Sequence, residues 1–169
     1  DARIDAELLL AHVLGCSRTR LFAYPEAEVD AASRARFLAL LERRRAGEPL
    51  AYLLGRQAFW SLDIVLDGST LVPRPETELL VELALDRAAA RAVEVLDLGT
   101  GSGAIALALA SERPAWRVLG IDRDPAAVHL ARANAERLGL GNVAFAAGDW
   151  FAGLEGRRFE LVVANPPYI

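Results

Sequence analysis

The chain has 169 residues, which suffice for one medium-sized domain or two small ones. Its single cysteine excludes a disulfide framework and a cysteine-rich metal site, and its net charge of −4 argues against a surface dedicated to nucleic acid. The first residues are acidic, and no apolar run reaches the ~18 residues that a membrane span needs. We therefore expect a cytoplasmic protein without a metal centre, membrane contact or direct nucleic-acid binding.

Residues 1–56 predict a small domain of three helices. Apolar residues recur at helical spacing in the first helix, and this pattern ends at Gly15. Ser17 can cap the second helix, and either Asp30 or Ser33 can cap the third. None of these helices carries a recognisable catalytic residue, so this domain offers no candidate active site.

Residues 57–72 predict a β-hairpin linker between the helical domain and the rest of the chain. The segment mixes β-branched and aromatic residues, which favour strands, with the turn dipeptide Asp67-Gly68. We expect the hairpin to turn at this dipeptide.

Residues 73–169 predict an α/β domain with a parallel sheet. Pro75 suits the first position of a helix, and strands and helices alternate after that helix. The expected strands span residues 92–98, 117–121, 143–146 and 159–164, and two helices between them span residues 102–111 and 125–138. Such alternation of apolar strands with helices is typical of a sheet that is covered on both faces.

The first of these strands leads into the glycine-rich stretch DLGTGSG, residues 97–103, and this stretch leads into a helix. Glycines let the backbone adopt positive φ and approach a ligand, and the N–H groups at a helix start point towards it. The spacing differs from that of the dinucleotide fingerprint, and glycines also mark plain turns. The stretch is therefore a candidate ligand loop whose interpretation depends on its neighbours.

The next two strands also end in groups that suit a nucleoside. Asp122 ends the second strand, where an acid can accept hydrogen bonds from a ribose diol, while Asp124 is assigned to the cap of the helix that begins at Pro125. Asp149 and Trp150 follow the third strand and can hold an adenine by its exocyclic amine and its flat face. Packing of Trp150 in the core is an equally good interpretation of that residue alone.

The fourth strand ends in Asn165-Pro166-Pro167-Tyr168. Proline has no N–H and stops a strand ladder, and loops at the carboxyl ends of parallel strands are where open α/β sheets bind ligands. A rigid turn is the simpler interpretation of this tetrapeptide by itself. Beside the three groups described above, a role in ligand binding is the better hypothesis.

In this combination, residues 73–169 resemble the S-adenosylmethionine-dependent methyltransferases with a Rossmann-like sheet. The NPPY tetrapeptide is shared by those that methylate a planar nitrogen, which is adenine N6, cytosine N4 or the amide of a glutamine. The segment PRPETE at residues 73–78, and the order of helical domain, hairpin linker, PRPETE and NPPY, further resemble the release factor glutamine methyltransferases. This resemblance spans essentially the whole chain.

The resemblance implies an α/β enzyme that transfers a methyl group from S-adenosyl-L-methionine to the side-chain N5 of a glutamine, leaving S-adenosyl-L-homocysteine. That glutamine lies in the Gly-Gly-Gln motif of peptide chain release factors, which the N-terminal domain would help to bind. The residues implied in cofactor binding are Gly99, Thr100, Gly101, Ser102, Gly103, Asp122, Asp149, Trp150 and Asn165. The residues implied in catalysis are Asn165, Pro166, Pro167 and Tyr168.

Two alternatives stay open. An adenine-N6 methyltransferase acting on DNA or RNA would share NPPY, although residues 1–72 hold 9 arginines against 10 acidic residues and thus lack a basic bias. The other is a non-catalytic fragment that only binds the cofactor. It arises because the resemblance implies a sheet of seven strands, whereas this chain supplies four, so we expect the sequence to be truncated after NPPY. We expect such a piece alone to be weakly stable and to show little turnover.

Overall fold

The computed structural model describes residues 2–88 and 91–166. The chain groups into two compact units, residues 1–55 and 56–169. Pro167 and Tyr168, which the sequence analysis assigns to catalysis, lie outside the described residues. The domain boundaries expected near residues 56 and 72 stay predictions.

The first unit consists of helices. They are α1 (Ala2–Leu14), α2 (Arg18–Ala23), α3 (Ala31–Arg45) and α4 (Leu50–Leu54). The oxygen of Ser17 caps α2, and Asp30 rather than Ser33 caps α3 by accepting the Ser33 N–H at 2.9 Å. The sequence analysis did not predict α4, which begins directly after Pro49, because five residues are too few to show a helical period.

The second unit begins with the hairpin of β1 (Arg56–Phe59) and β2 (Leu62–Val65). Phe59 pairs with Leu62, so the chain turns at Trp60 and Ser61. The expected turn at Asp67-Gly68 is wrong, since this dipeptide follows β2 instead of separating the two strands.

Tertiary hydrogen bonds explain the unexpected position of this turn. Trp60 adopts a φ of +56°, a conformation that bulky residues rarely take. Its backbone N–H donates to the Glu78 carboxylate at 2.7 Å, and its indole Nε1 donates to the Glu112 carboxylate at 2.7 Å. Because both acceptors are remote in sequence, no local signal could have indicated a turn at Trp60.

A parallel four-stranded sheet forms the body of the second unit, which confirms the expected fold class. Its strands are β3 (Glu94–Leu98), β4 (Arg117–Asp122), β5 (Val143–Ala147) and β6 (Leu161–Ala164), in the spatial order β5-β4-β3-β6. The helices of this unit are α5 (Glu78–Arg87), α6 (Ala104–Glu112) and α7 (Pro125–Leu138), and a 3₁₀ turn (Pro75–Thr77) precedes α5.

The parallel direction brings the carboxyl ends of all four strands to one edge of the sheet. Leu98 of β3 is in register with Ile121 of β4 on one side and with Ala164 of β6 on the other. The loop that follows β3 therefore lies between the residues that follow β4 and β6.

Helix α6 fixes the end of that loop, because every residue from Ala104 to Ala110 is buried. Helix α5 is buried only along Val81 and Ala84. Two of its leucines, Leu79 and Leu83, are exposed by 57% and 41%. The second unit thus presents apolar side chains on the surface of α5.

Candidate active site

The glycine loop, residues 99–103, connects β3 to α6. Its three glycines all have positive φ, at +70°, +56° and +84° in chain order. The Ile121 carbonyl accepts the N–H groups of Gly99 and Thr100 at 2.8 and 3.0 Å, which fastens the loop to the end of β4. A residue with a Cβ would be strained at any of the three glycine positions.

The glycines differ in what surrounds them. A Cβ at Gly103 would lie 2.9 Å from the Phe145 ring, so this glycine is needed for packing beneath the loop. A Cβ at Gly99 would meet no atom within 4 Å, and one at Gly101 would meet only Thr70, at 3.9 Å. Gly99 and Gly101 therefore border open space, where a ligand can approach the backbone.

Asp122, at the end of β4, braces this loop. Its Oδ2 accepts the Gly101 N–H at 2.8 Å, and its Oδ1 accepts the Asp124 N–H at 3.0 Å. Asp124 in turn accepts the Ala126 N–H at 2.9 Å, which confirms its assignment as the cap of α7. Each oxygen of the Asp122 carboxylate has a second lone pair, so the carboxylate retains capacity for ligand hydroxyls.

Asp97, to which the sequence analysis gave no role, is fully buried in β3. The Thr100 hydroxyl donates to its Oδ2 at 2.6 Å, whereas Oδ1 has no hydrogen-bond partner within residues 2–88 and 91–166. Burial raises the pKa of Asp97 from 3.8 to about 6, against the lowering effects of the Thr100 hydroxyl and the Ala106 backbone N–H and with a smaller raising effect from the charge of Asp122. Its place directly before the glycine loop was the available sequence signal.

Asn165 follows β6 and is half-buried. Its side-chain Nδ2 donates to the Thr77 hydroxyl oxygen at 3.0 Å. Thr77 belongs to the PRPETE segment, so this bond joins the two segments, PRPETE and NPPY, on which the family resemblance depends.

A cleft of about 380 Å³ joins the glycine loop to Asn165. The cleft is lined by the loop together with Asn165 and Pro166. It is also lined by the chain between Leu71 and Leu83. The lining residues of that stretch are Leu71, Val72, Pro73, Arg74, Glu76, Thr77, Leu79, Leu80 and Leu83. The structure therefore places five of the predicted cofactor residues, Gly99 to Ser102 and Asn165, and two of the predicted catalytic residues, Asn165 and Pro166, around one space.

Asp149 and Trp150 follow β5 and do not line this cleft. Trp150 is 52% exposed and has a φ of +52°, so the alternative that it packs in the core is wrong. The Gly148 N–H donates to the Asp122 carbonyl at 2.9 Å, which ties their loop to the end of β4. Their assignment to an adenine stays a prediction.

Asn134 of α7 is a second residue that the sequence analysis missed. It is fully buried, and its amide bonds both the N–H and the carbonyl of Val65 and also the carbonyl of Ser102. It therefore connects the glycine loop to α7 and to the end of β2. An asparagine at a buried position of a predicted helix was the only signal available.

Neither a metal centre nor a membrane segment is found in the described part of the chain. Residues 2–88 and 91–166 contain no group of three or more His, Cys, Asp or Glu side chains placed to hold an ion. No helix among them is long and apolar enough to cross a bilayer.

Two solved methyltransferases share this fold. The tRNA (uracil-54, C5)-methyltransferase of Pyrococcus abyssi superposes with a TM-score of 0.55 at 21% identity, over 66% of this chain and 28% of that one. The precorrin-6y C5,15-methyltransferase of Geobacter metallireducens superposes with a TM-score of 0.52 at 19% identity, over 60% and 52%. The sheet order and the glycine loop thus define a class I methyltransferase fold.

Residues 1–55 match the family model of the PrmC N-terminal domain, and residues 90–167 match that of a methyltransferase domain. Over nearly its whole length the chain is similar to curated proteins named release factor glutamine methyltransferase. Proteins of that name from Vibrio cholerae and Pseudomonas aeruginosa are 54% and 55% identical to it, over 98% and 100% of this chain. The chain spans 58% and 61% of the length of these two relatives.

Proposed function

We propose that the chain carries the cofactor site and the substrate-binding asparagine of an enzyme that methylates N5 of a glutamine side chain. The methyl donor is S-adenosyl-L-methionine, and the substrate is the Gly-Gly-Gln motif of a peptide chain release factor. One observation carries the proposal: Asn165 and the glycine loop face the same cleft. The name shared by relatives of 50–55% identity supports the choice of substrate.

The glycine loop fits the methionine end of such a cofactor. Gly99 and Gly101 border open space, so a ligand can lie directly against their backbone. Asp122 stands beside the loop with acceptor capacity for the two ribose hydroxyls. Asp149 and Trp150 follow the next strand, β5, and we propose that they contact the adenine.

The order of these groups along the sheet edge matches the order of the parts of the cofactor. From β6 to β5 the edge presents Asn165, the glycine loop, Asp122 and Asp149. Three inter-strand spacings separate the first from the last, which is about 14 Å. In S-adenosylmethionine the methyl group is bound to a sulfonium between the amino-acid part and the ribose, and this charge makes it an electrophile. In the proposed orientation of the cofactor, the methyl group would face the end of β6.

Asn165 and Pro166 suit an amide substrate because an amide nitrogen is a weak nucleophile. Its lone pair is delocalised into the carbonyl, so the site must hold the nitrogen in line with the methyl group rather than activate it with a strong base. The Oδ1 of Asn165 and the backbone carbonyl of Pro166 are acceptors for the two N–H bonds of a glutamine amide. The N–C bond forms as the sulfonium C–S bond breaks and S-adenosylhomocysteine leaves, and the methylated nitrogen then gives one proton to solvent. We propose that Pro167 and Tyr168 form the rest of the surface that contacts the substrate amide.

Exposed leucines border the same cleft. Leu71, Leu79 and Leu83 line this cleft together with Asn165 and expose much of their apolar surface. We propose that they contact the backbone and small side chains around the substrate glutamine. Such contacts exclude water from the reacting amide and suit a protein substrate.

The adenine-N6 alternative is not favoured. The three arginines that end α3 are the one basic cluster of residues 2–55, and all of them are paired with carboxylates. The pairs are Arg43 with Glu48, Arg44 with Asp5, and Arg45 with Glu42. No unneutralised cluster in this segment is therefore left to contact a phosphate backbone.

The test uses the whole polypeptide that the gene encodes, with methyl-labelled S-adenosylmethionine and either a release factor or DNA and RNA. We expect label on the release factor and none on a release factor whose motif glutamine is replaced by glutamate. Asn165→Ala should lower kcat by about 100-fold, because the amide loses its alignment, while S-adenosylhomocysteine affinity stays within about 3-fold. Label on nucleic acid, or on the glutamate variant, would refute the proposal.

A further inference from the structure

The hydroxyl group of Thr77 has no role in its own helix. Thr77 is the N-cap residue of α5, a position where threonine usually accepts a backbone N–H from the first turn. That geometry needs an extended backbone, but Thr77 has φ −70° and ψ −20° because it is the last residue of the 3₁₀ turn. Its side chain accordingly makes no capping hydrogen bond.

The hydroxyl oxygen accepts Nδ2 of Asn165 instead, across 88 positions of sequence. The backbone around Thr77 is held from two directions. Its N–H donates to the Arg74 carbonyl at 3.0 Å, and the carboxylate of the next residue, Glu78, accepts the Trp60 N–H at 2.7 Å. The acceptor that Thr77 offers to Asn165 therefore has a fixed position.

The Thr77 hydroxyl can accept from Nδ2 or donate to Oδ1, and the structure has the first of these two bonds, which leaves Oδ1 of Asn165 as the end available to the cleft. The amide is planar, with an acceptor at one end and two donors at the other, and a half-turn about its last torsion exchanges them. With Nδ2 on Thr77, Oδ1 is the end left for a substrate. The opposite orientation would place Nδ2 against the N–H groups of a glutamine amide, where two donors repel each other.

We propose that Thr77 is a positioning residue that orients the side-chain amide of Asn165 so that Oδ1 accepts a hydrogen bond from the amide that becomes methylated. The proposal rests on the proposed function, since it assigns Thr77 a role in that reaction. The PRPETE segment then contributes to the chemistry through Asn165 and touches neither the methyl group nor the nitrogen.

The kinetic test compares variants of the whole polypeptide. Thr77→Val keeps the shape and removes the acceptor, Thr77→Ser keeps the acceptor, and Thr19→Val makes the same change on the exposed surface of α2. We expect Thr77→Val to lower kcat by about 10- to 100-fold, with KM for the release factor and the affinity for S-adenosylhomocysteine within about 3-fold of wild type. Thr77→Ser and Thr19→Val should stay within about 3-fold in kcat.

A second measurement does not depend on activity. In ¹⁵N-labelled protein, the side-chain amide signal of Asn165 is the one that disappears in Asn165→Asp. We expect its protons to exchange slowly in the wild type and in Thr77→Ser, and about 10-fold faster in Thr77→Val. Thr77→Ala provides the same comparison if the valine variant does not fold.

The two measurements separate the proposal from the function on which it rests. Unchanged exchange in Thr77→Val, an unprotected Asn165 amide in the wild type, or kcat equal to wild type would overturn the role of Thr77. A wild-type protein that methylates no release factor but shows the expected exchange pattern would refute the proposed function and leave the orientation of Asn165 as inferred.

Discussion

The side chain of Asn134 pairs with the backbone of Val65 as a neighbouring strand would. Its Oδ1 accepts the Val65 N–H at 2.9 Å, and its Nδ2 donates to the Val65 carbonyl at 3.0 Å. The same Nδ2 donates to the Ser102 carbonyl at 3.1 Å. One buried side chain thus joins the hairpin, α7 and the glycine loop.

Asn134→Ala should therefore destabilise the protein by about 3 kcal/mol or more, because it leaves both backbone groups of Val65 without their partner. Urea unfolding measures this loss. His129→Ala, on the exposed face of the same helix, is the matched control and should change stability by less than about 0.5 kcal/mol. Equal stability of the two variants would contradict the role given to Asn134.

Replacing two glycines of the same loop by alanine should have different consequences. Gly103→Ala places a Cβ against the Phe145 ring, so we expect a loss of about 2–4 kcal/mol in unfolding free energy. Gly99→Ala meets no protein atom and should lose only the about 1–2 kcal/mol of backbone strain, while S-adenosylhomocysteine binding is lost. Denaturation and calorimetric titration measure the two effects. Unimpaired binding by Gly99→Ala would argue against a ligand at this loop.

Asp97 should make stability depend on pH. Because its pKa is raised from 3.8 to about 6 in the folded chain, folding favours its protonated form. Its contribution to stability is complete below pH 3.8 and is lost as the pH rises to about 6 and above, a change of about 3 kcal/mol. The measurement is the unfolding free energy of the wild type minus that of Asp97→Asn, between pH 4 and 7. A difference that stays constant over this range would show that Asp97 is not perturbed.

The two aspartates after β4 should affect different properties. Asp122→Ala removes the acceptor of the Gly101 N–H and the proposed ribose ligand, so affinity for S-adenosylhomocysteine should fall by about 10- to 100-fold. Asp124→Ala removes only the cap of α7 and should cost about 1 kcal/mol of stability, with affinity unchanged. Calorimetric titration of both variants distinguishes the roles, and equal losses of affinity would contradict them.

The sequence predicted the sheet because the apolar strands and their connecting helices carry strong, local patterns. The ends of the strands were also predictable, since they are marked by glycines, by Asp122 and by the prolines after Asn165. These signals share one property, which is that the cause lies within a few residues of the effect.

The features that the sequence did not predict depend on remote partners. The hairpin turn at Trp60 is held by Glu78 and Glu112, and the structural use of Asn134 depends on Val65, 69 positions earlier. The hydrophobic pattern of a sequence predicts whether such a residue is buried or exposed. It does not predict which backbone group the side chain will bond. The hydrogen bond between Thr77 and Asn165 also joins residues that are remote in sequence.

The pairing of β3 with β6 also fixes the distance between the glycine loop and Asn165. Leu98 lies level with Ala164, so Gly99 and Asn165 leave the sheet side by side, on strands about 4.8 Å apart. A slip of a single position between these strands would displace Asn165 by about 3.3 Å and turn its side chain to the opposite face. The distance between the methyl donor and the methyl acceptor is thus set by the backbone hydrogen bonds between these strands. It stays constant when the leucines around the cleft are replaced.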